Sequence, residues 1–239
     1  MTKIEKTETA VEINDLNTKL ATEMVEAGVL YGHKKSKVDP RMRRYIAANR
    51  HEIDLLDVKA VEVSLNKSIK FLEGILGKED GLVLFIGTTS PATEKIKEIS
   101  EAFQQPYVTT RWLGGTLTNY KIIKKRINHY LDLQKKEESG ELDKYTKKER
   151  VQFSKEINKM SIIFEGLVRL TKLPDALFII NPKEHSTAIR EARNKKIPVV
   201  SIIDTNDNPD EIDYPIIAND HSVSSIGWVI DKIIKNIKK

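Results

Sequence analysis

Apolar and polar positions follow two rhythms along this chain, and each predicts its own kind of element. Near the N-terminus Leu16, Leu20, Met24 and Val25 recur at helical spacing. They predict a helix from a cap at Asn14 or Asp15 to Val25, with Gly28 placed to stop it. A loop carrying Pro40 follows. His51 to Leu56 reads as a short strand, and Val58 to Leu72 as a second helix with Val61, Leu65, Ile69 and Leu72 on one face. Leu82 to Ile86 is a continuous apolar run closed by Gly87, the pattern of a strand buried on both faces of a parallel sheet. A helix from about Pro91 to Phe103 follows it, with proline at a tolerated first-turn position. The unit then recurs: a strand at Ala176 to Ile180 with a helix near Glu184 to Asn194, a strand at Pro198 to Ile203, and a strand at Ile216–Ile217 with a helix from about Ser222 to Ile237. Strands alternating with helices predict an α/β fold, a parallel sheet covered by helices.

Between the first and second of these strands the rhythm changes. Tyr120, Ile123, Ile127 and Tyr130 step by three and four, as do Phe153, Ile157, Met160, Phe164 and Leu167, on either side of a polar segment from Lys135 to Glu149. Two narrow stripes predict a helical hairpin whose arms pack on each other in the manner of a coiled coil. Arms of roughly 20–25 residues at 1.5 Å rise would be about 30–38 Å long. A hairpin folded flat on the sheet would need wider apolar faces, so a projecting form is expected. The divisions that follow are a tail over residues 1–13, a body over 14–112 and 168–239, and an inserted hairpin over 113–167.

Composition narrows the class. The chain has 239 residues, enough for one large domain or a domain with a sizeable appendage, and it has no cysteine. Disulfide frameworks, thiolate metal sites and cysteine nucleophiles are excluded, and a reducing compartment is the natural expectation. Met1 to Glu12 carries no apolar targeting core and reads as a short disordered tail. No run of about 18 apolar residues occurs, so no membrane-spanning helix is expected. The net charge of +5 conceals a stronger segregation. Tyr31 to Arg50 holds seven basic residues against one acid, whereas Val200 to Ile230 holds six acids and no Lys or Arg. One face suits a polyanion, and the acids are expected in solvated loops.

A search for catalytic motifs returns mainly exclusions. Phosphate-binding Gly-x-x-x-x-Gly-Lys, complete Gly-x-Gly-x-x-Gly and His-Glu-x-x-His are all missing from the sequence. Gly87-Thr88-Thr89-Ser90 joins a buried strand to a helix and could hold a phosphate. It has no lysine, so a structural turn with a Ser or Thr cap is preferred. His221 beside Asp220, with Asp204 and Asp207 upstream, could join a hard-cation site if their loops converge, but turn formation is the preferred account of such acids, which show no fixed ligand-loop pattern. The basic segments are more specific. Tyr31-Gly32-His33-Lys34-Lys35 and Pro40-Arg41-Met42-Arg43-Arg44-Tyr45 mix cations with aromatic planes, suiting phosphate contacts and stacking on unpaired bases. Arg111-Trp112-Leu113-Gly114-Gly115-Thr116-Leu117-Thr118-Asn119 offers paired glycines for close approach and polar donors, followed by Lys121, Lys124, Lys125 and Arg126. Arg111 and Trp112 could equally serve packing at the root of the hairpin.

Arg111 to Asn119 resembles the hallmark of the bacterial-type ribosomal small-subunit protein S-two family. Glu26 to His33 is similar to that family's N-terminal signature. Leu173 to Pro182, with Glu184-His185, Ala188, Glu191-Ala192 and Ile197-Pro198, is similar to its second signature. Asp204-Thr205-Asn206 through Asn219-Asp220 continues the match in order. The pattern departs at Val38-Asp39-Pro40, where the family carries Trp-Asn before the proline. The resemblance implies a flavodoxin-like α/β domain bearing an inserted coiled-coil hairpin. It implies a structural constituent of the small ribosomal subunit in the cytoplasm, with no reaction and no cofactor. Its implied partners are small-subunit rRNA and neighbouring proteins, among them the mRNA-binding protein S-one where that exists. On this reading the RNA contacts fall to His33, Lys34, Lys35, Arg41, Arg43, Arg44, Arg111, Thr116, Thr118, Asn119, Lys121, Lys124 and Lys125. The rival is a phosphate- or nucleotide-binding α/β enzyme using the turn from Gly87 to Ser90.

Overall fold

The structure is a computed structural model and describes residues 19–238. The expected tail, the caps at Asn14 or Asp15 and Leu16 lie outside the described residues. Five parallel strands form the central sheet: β4 (Val83–Ile86), β5 (Tyr107–Val108), β6 (Ala176–Ile180), β7 (Val199–Ile203) and β8 (Tyr214–Ile217), in the order β5-β4-β6-β7-β8. Every residue of β4, β6 and β7 is buried, as the apolar runs require of strands covered on both faces. Phe85 and Phe178, paired across β4 and β6, bring their rings to 5.4 Å. The two-residue β5 was not legible in the sequence.

The first helix, α1, is described over residues 19–26 and ends before Gly28, whose φ of 73° closes it. Asp57 caps α2 (Val58–Leu76) by accepting from the Lys59 amide. The other helices are α3 (Ser90–Phe103), α4 (Tyr120–Glu138), α5 (Lys147–Phe164), α6 (Ser186–Lys195) and α7 (Val223–Ile237). Helix α2 packs on β8 and on α7, and α7 packs on α3. The segment expected as a basic loop is largely structured. Strands β1 (Tyr31–Lys34), β2 (Ile46–Arg50) and β3 (Ile53–Leu56) form a separate antiparallel sheet in the order β1-β3-β2. His51 and Glu52, which the sequence placed in a strand, instead make its hairpin turn with φ of 49° and 66°.

Helices α4 and α5 are antiparallel and pack on each other through Ile123, Ile127, Tyr130 and Leu133 on one arm and Ile157 and Phe164 on the other. They are shorter than expected. Their 19 and 18 residues correspond to about 28 and 27 Å, because the chain before Tyr120 turns rather than winding into α-helix and Glu165–Leu167 tightens into a 3-10 segment. Thr146 and Glu149 cap α5 reciprocally, each side chain bonding the other's backbone.

Glycine is required where the 3-10 segment after α5 crosses β5. A side chain at Gly166 would collide with the Tyr107 carbonyl oxygen and ring, whereas Gly74 on the exposed side of α2 faces open space. Gly166→Ala is therefore expected to cost about 1–3 kcal/mol. Gly74→Ala should stabilise by about 0.5–1 kcal/mol through helix propensity. Urea midpoints of the two variants check both signs.

Candidate nucleic-acid interface

The N-terminal sheet presents its cations on a firmly anchored turn. Asp39 accepts from the Arg41 amide at 2.9 Å to start a 3-10 turn over Pro40–Tyr45, and Met42 is fully buried beneath it. With Met42 held inward, Arg41, Arg43 and Arg44 emerge on the exposed side, as do Lys34 and Lys35 from the end of β1. The Asp39 amide donates to the Thr205 carbonyl at 2.9 Å, which ties the turn to the loop after β7. Arg44 also sits 3.2 Å from Asp210 and lies over the Tyr45 ring at 4.9 Å. Exposed pairs of this kind are weak and exchangeable for a phosphate.

The second group surrounds the root of the hairpin, and its geometry differs from what the sequence suggested. The Glu191 carboxylate on α6 accepts from the amides of Gly115 (2.8 Å), Leu117 (3.0 Å) and Thr118 (3.0 Å), from the Thr118 hydroxyl (3.0 Å) and from Trp112 Nε1 (3.1 Å). Of the donors expected to face a phosphate, Thr118 is thus engaged by the protein's own anion, as is the Gly115 amide. Burial pushes the Glu191 carboxyl up, but the donated hydrogen bonds outweigh it and hold the group below the ordinary carboxylate range. Thr116 is buried, its hydroxyl donating to the Leu113 carbonyl at 2.6 Å, so it faces the interior. Arg111, Asn119, Lys121, Lys124 and Lys125 are exposed, with Lys124 Nζ reaching the Thr171 carbonyl at 3.0 Å.

His33 lies apart from the lysines that follow it. Its Nδ1 is 3.0 Å from Asp204 Oδ2, and its ring meets that of His221 edge-on at 4.9 Å. The expectation of solvated acids fails here. Asp204, Asp207 and Asp220 are each only 1% exposed, because the loops after β7 and β8 close over them. Burial, reinforced by Asp207 and Asp204, pushes the Asp220 carboxyl up to about 8. Burial likewise pushes Asp207 up to about 6, against a bond from the Asp204 amide. His33, Asp204 and His221 bring one ligand atom each within 4.8 Å of one another, a donor set able to hold a divalent cation. Asp204 and His221 were among the cation-site candidates of the sequence, and the convergence of the loops adds His33 to them in place of Asp207 and Asp220.

The turn at Gly87 to Ser90 is structural, though without the expected cap. A side chain at Gly87 would meet Ile96 at 2.8 Å and Ala92 at 3.0 Å, so the glycine serves helix–strand packing. Thr89 occupies the cap position of α3 but its hydroxyl makes no capping bond and is buried without a partner. Thr88 Oγ1 lies 3.5 Å from Nε2 of the buried His185, whose pKa burial lowers to about 4, leaving it neutral.

Glu191→Gln tests the role of the carboxylate. The substitution sets an amide NH₂ against buried donors and should cost about 3 kcal/mol at neutral pH. The folded pKa is depressed, so this stability is complete above the unfolded value near pH 4.3 and lost as pH falls through the folded one. Urea titrations between pH 7 and pH 3 should show the gap between wild type and variant closing with acid.

Residues 24–239 match the family described as Ribosomal protein S2. The chain is similar to the small ribosomal subunit protein uS2 of Borreliella burgdorferi strain B31, 39% identical over 213 residues that cover 89% of this chain and 81% of the relative. The uS2 protein of strain ZS7 is equally similar, 39% identical over 213 residues, with 80% of its length covered.

Proposed function

Because this chain belongs to the ribosomal protein S2 family, we propose that it is a structural constituent of the small ribosomal subunit, binding rRNA and neighbouring ribosomal proteins, and that it catalyses no reaction. The observation that carries its RNA contacts is the set of exposed cations raised on the turn that Met42 anchors. Lys34, Lys35, Arg41, Arg43 and Arg44 neutralise phosphates from this sheet, Arg111, Lys121, Lys124 and Lys125 do so from the hairpin root, and the neutral Asn119 amide donates a hydrogen bond beside them. Thr118 contributes little, its hydroxyl being held by Glu191. Thr116 and His33 take part through the segments they hold in place. The mRNA-binding protein S-one, where a cell has it, is a further neighbour, a reading supported by the sequence resemblance. The enzyme alternative finds no support in the family, and the turn it required has no lysine.

On this reading residues 113–167 form an inserted coiled-coil hairpin on a body of residues 14–112 and 168–239, preceded by a tail over residues 1–13. The support for it is the mutual packing of α4 and α5. The hairpin spreads contact over rRNA beyond the body's reach. Mass spectrometry of isolated small subunits should find the chain at one copy per subunit, and its absence there would overturn the assignment.

Two variants test the division of labour. Arg41→Ala, Arg43→Ala and Arg44→Ala together should reduce the slope of log affinity against log salt by about 2, because three phosphate contacts are removed and Arg44 is already partly neutralised by Asp210. A slope equal to wild type would show that this turn does not face RNA. Replacing Tyr120 to Phe164 with a short Gly/Ser linker should leave a folded body that no longer enters the subunit. An unfolded product by circular dichroism would make the hairpin part of the core.

A further inference from the structure

A cavity of about 430 Å³ opens between the N-terminal sheet and its 3-10 turn, lined by Lys35, Val38, Arg43, Ile46, Asn49 and Asp54. Asp54 on β3 is 5% exposed and stands directly across from Asn49 on β2. The Asn49 side-chain amide donates to Asp54 Oδ1, and Asp54 takes part in none of the ion pairs among the described residues. A buried carboxylate offers about four acceptor positions, and leaving most of them empty is costly. One donor bond does not meet that demand, so the remaining capacity is left to the cavity. Lys35 and Arg43 stand exposed at its rim, and the aliphatic Val38 and Ile46 form its walls. Acceptors at the floor, apolar walls and cations at the mouth together fit one nucleotide of a single strand.

The chemistry of the floor selects the base. A carboxylate only accepts hydrogen bonds. Guanine is the one common base whose pairing edge sets two donors side by side, N1–H and N2–H. Adenine and cytosine place a ring acceptor beside their single amine, and uracil flanks its single donor with carbonyls. Each would turn a lone pair toward the carboxylate. We propose that this cavity takes the base of one unpaired guanine of small-subunit rRNA, Asp54 accepting from N1 and N2 while Lys35 and Arg43 hold the flanking phosphates. The proposal rests on the rRNA-binding reading above and adds base selectivity to a surface otherwise limited to phosphate contacts.

Small subunits carrying wild-type or Asp54→Asn chains are probed with kethoxal, which adds across N1 and N2 of accessible guanines, and with dimethyl sulfate, which reports adenine N1 and cytosine N3. Asparagine keeps the shape of the side chain and can still bond Asn49, so incorporation, checked by mass spectrometry, should persist. At least one guanine should react about fivefold or more faster in the variant, the lower bound for a lost two-bond base contact. Adenine and cytosine reactivities should be unchanged. Identical guanine patterns would overturn the proposal. A second arm needs no assembly. The full wild-type chain is titrated with fluorescent uridine hexamers containing one guanosine, one inosine, which lacks the N2 amine, or one adenosine. Affinity should fall in that order for wild type, and the order should vanish in Asp54→Asn. Salt-dependent binding without base preference would refute the pocket and leave the rRNA reading intact, whereas a chain absent from the subunit and indifferent to RNA would refute both.

Discussion

The hairpin root depends on one buried carboxylate. Glu191, 6% exposed, collects five donors from a loop that would otherwise have several unpaired amides facing the body. A buried amide without a partner costs about 1–3 kcal/mol, so a loop of this shape needs an internal acceptor with more than one lone pair. A carboxylate provides it, and the helix carrying it connects β6 to β7. The path of the chain into α4 is therefore set from the sheet through α6, Glu191 and Leu117, the last fully buried. Tyr120 adds a second tie by donating to the Leu170 carbonyl at 2.8 Å across the base of the hairpin.

The N-terminal sheet is fixed by a different means, through close backbone approach rather than a shared anion. A side chain at Gly32 would collide with Thr205, and the His33 amide donates to the Thr205 hydroxyl at 2.8 Å. Together with the bond from Asp39 to the Thr205 carbonyl, these contacts seat β1 and the cationic turn on the loop after β7. One residue in the loop at the parallel sheet's C-terminal edge thus seats the N-terminal sheet's basic surface. The same closure sequesters Asp204 and brings His33 to it.

How much of this was legible in the sequence follows from how local each signal is. The strands β4, β6 and β7 announced themselves as unbroken apolar runs, and the hairpin seam as residues three and four apart, because burial on a regular element writes its period into neighbouring positions. β5 has two residues, too few to carry a period. The basic segment read as a loop because Arg41, Arg43 and Arg44 interrupt its apolar pattern, leaving Met42 as the one buried residue of its 3-10 turn. The cations needed no structure to be found, since exposure is the default for lysine and arginine. The acids were misjudged for the same reason. Asp204, Asp207 and Asp220 were expected in solvent, and nothing adjacent to them in the sequence signals that three loops meet there. Glu191 was visible only as part of a resemblance, because its five donors lie more than 70 positions away.

That misjudgement bears on how a chain of net charge +5 can serve a polyanion. Asp54, Glu191, Asp204, Asp207 and Asp220 are all buried, while no Lys or Arg among the described residues is. Negative charge is withdrawn from the surface and positive charge is left on it, so the face met by phosphate is more basic than the formula states. The pKa values act in the same direction: a carboxyl pushed up to about 8 at Asp220 is mostly protonated at neutral pH, and one pushed up to about 6 at Asp207 is partly so. Screening adds to this separation, because charges in solvent interact little beyond about 8 Å at physiological salt. A phosphate at the Arg41 to Arg44 turn therefore senses mainly the charges of the turn itself, where three arginines outnumber Asp39 and Asp210 beside them. Overall charge can then stay modest, which limits self-repulsion in the folded body, without weakening the local field that recognises RNA.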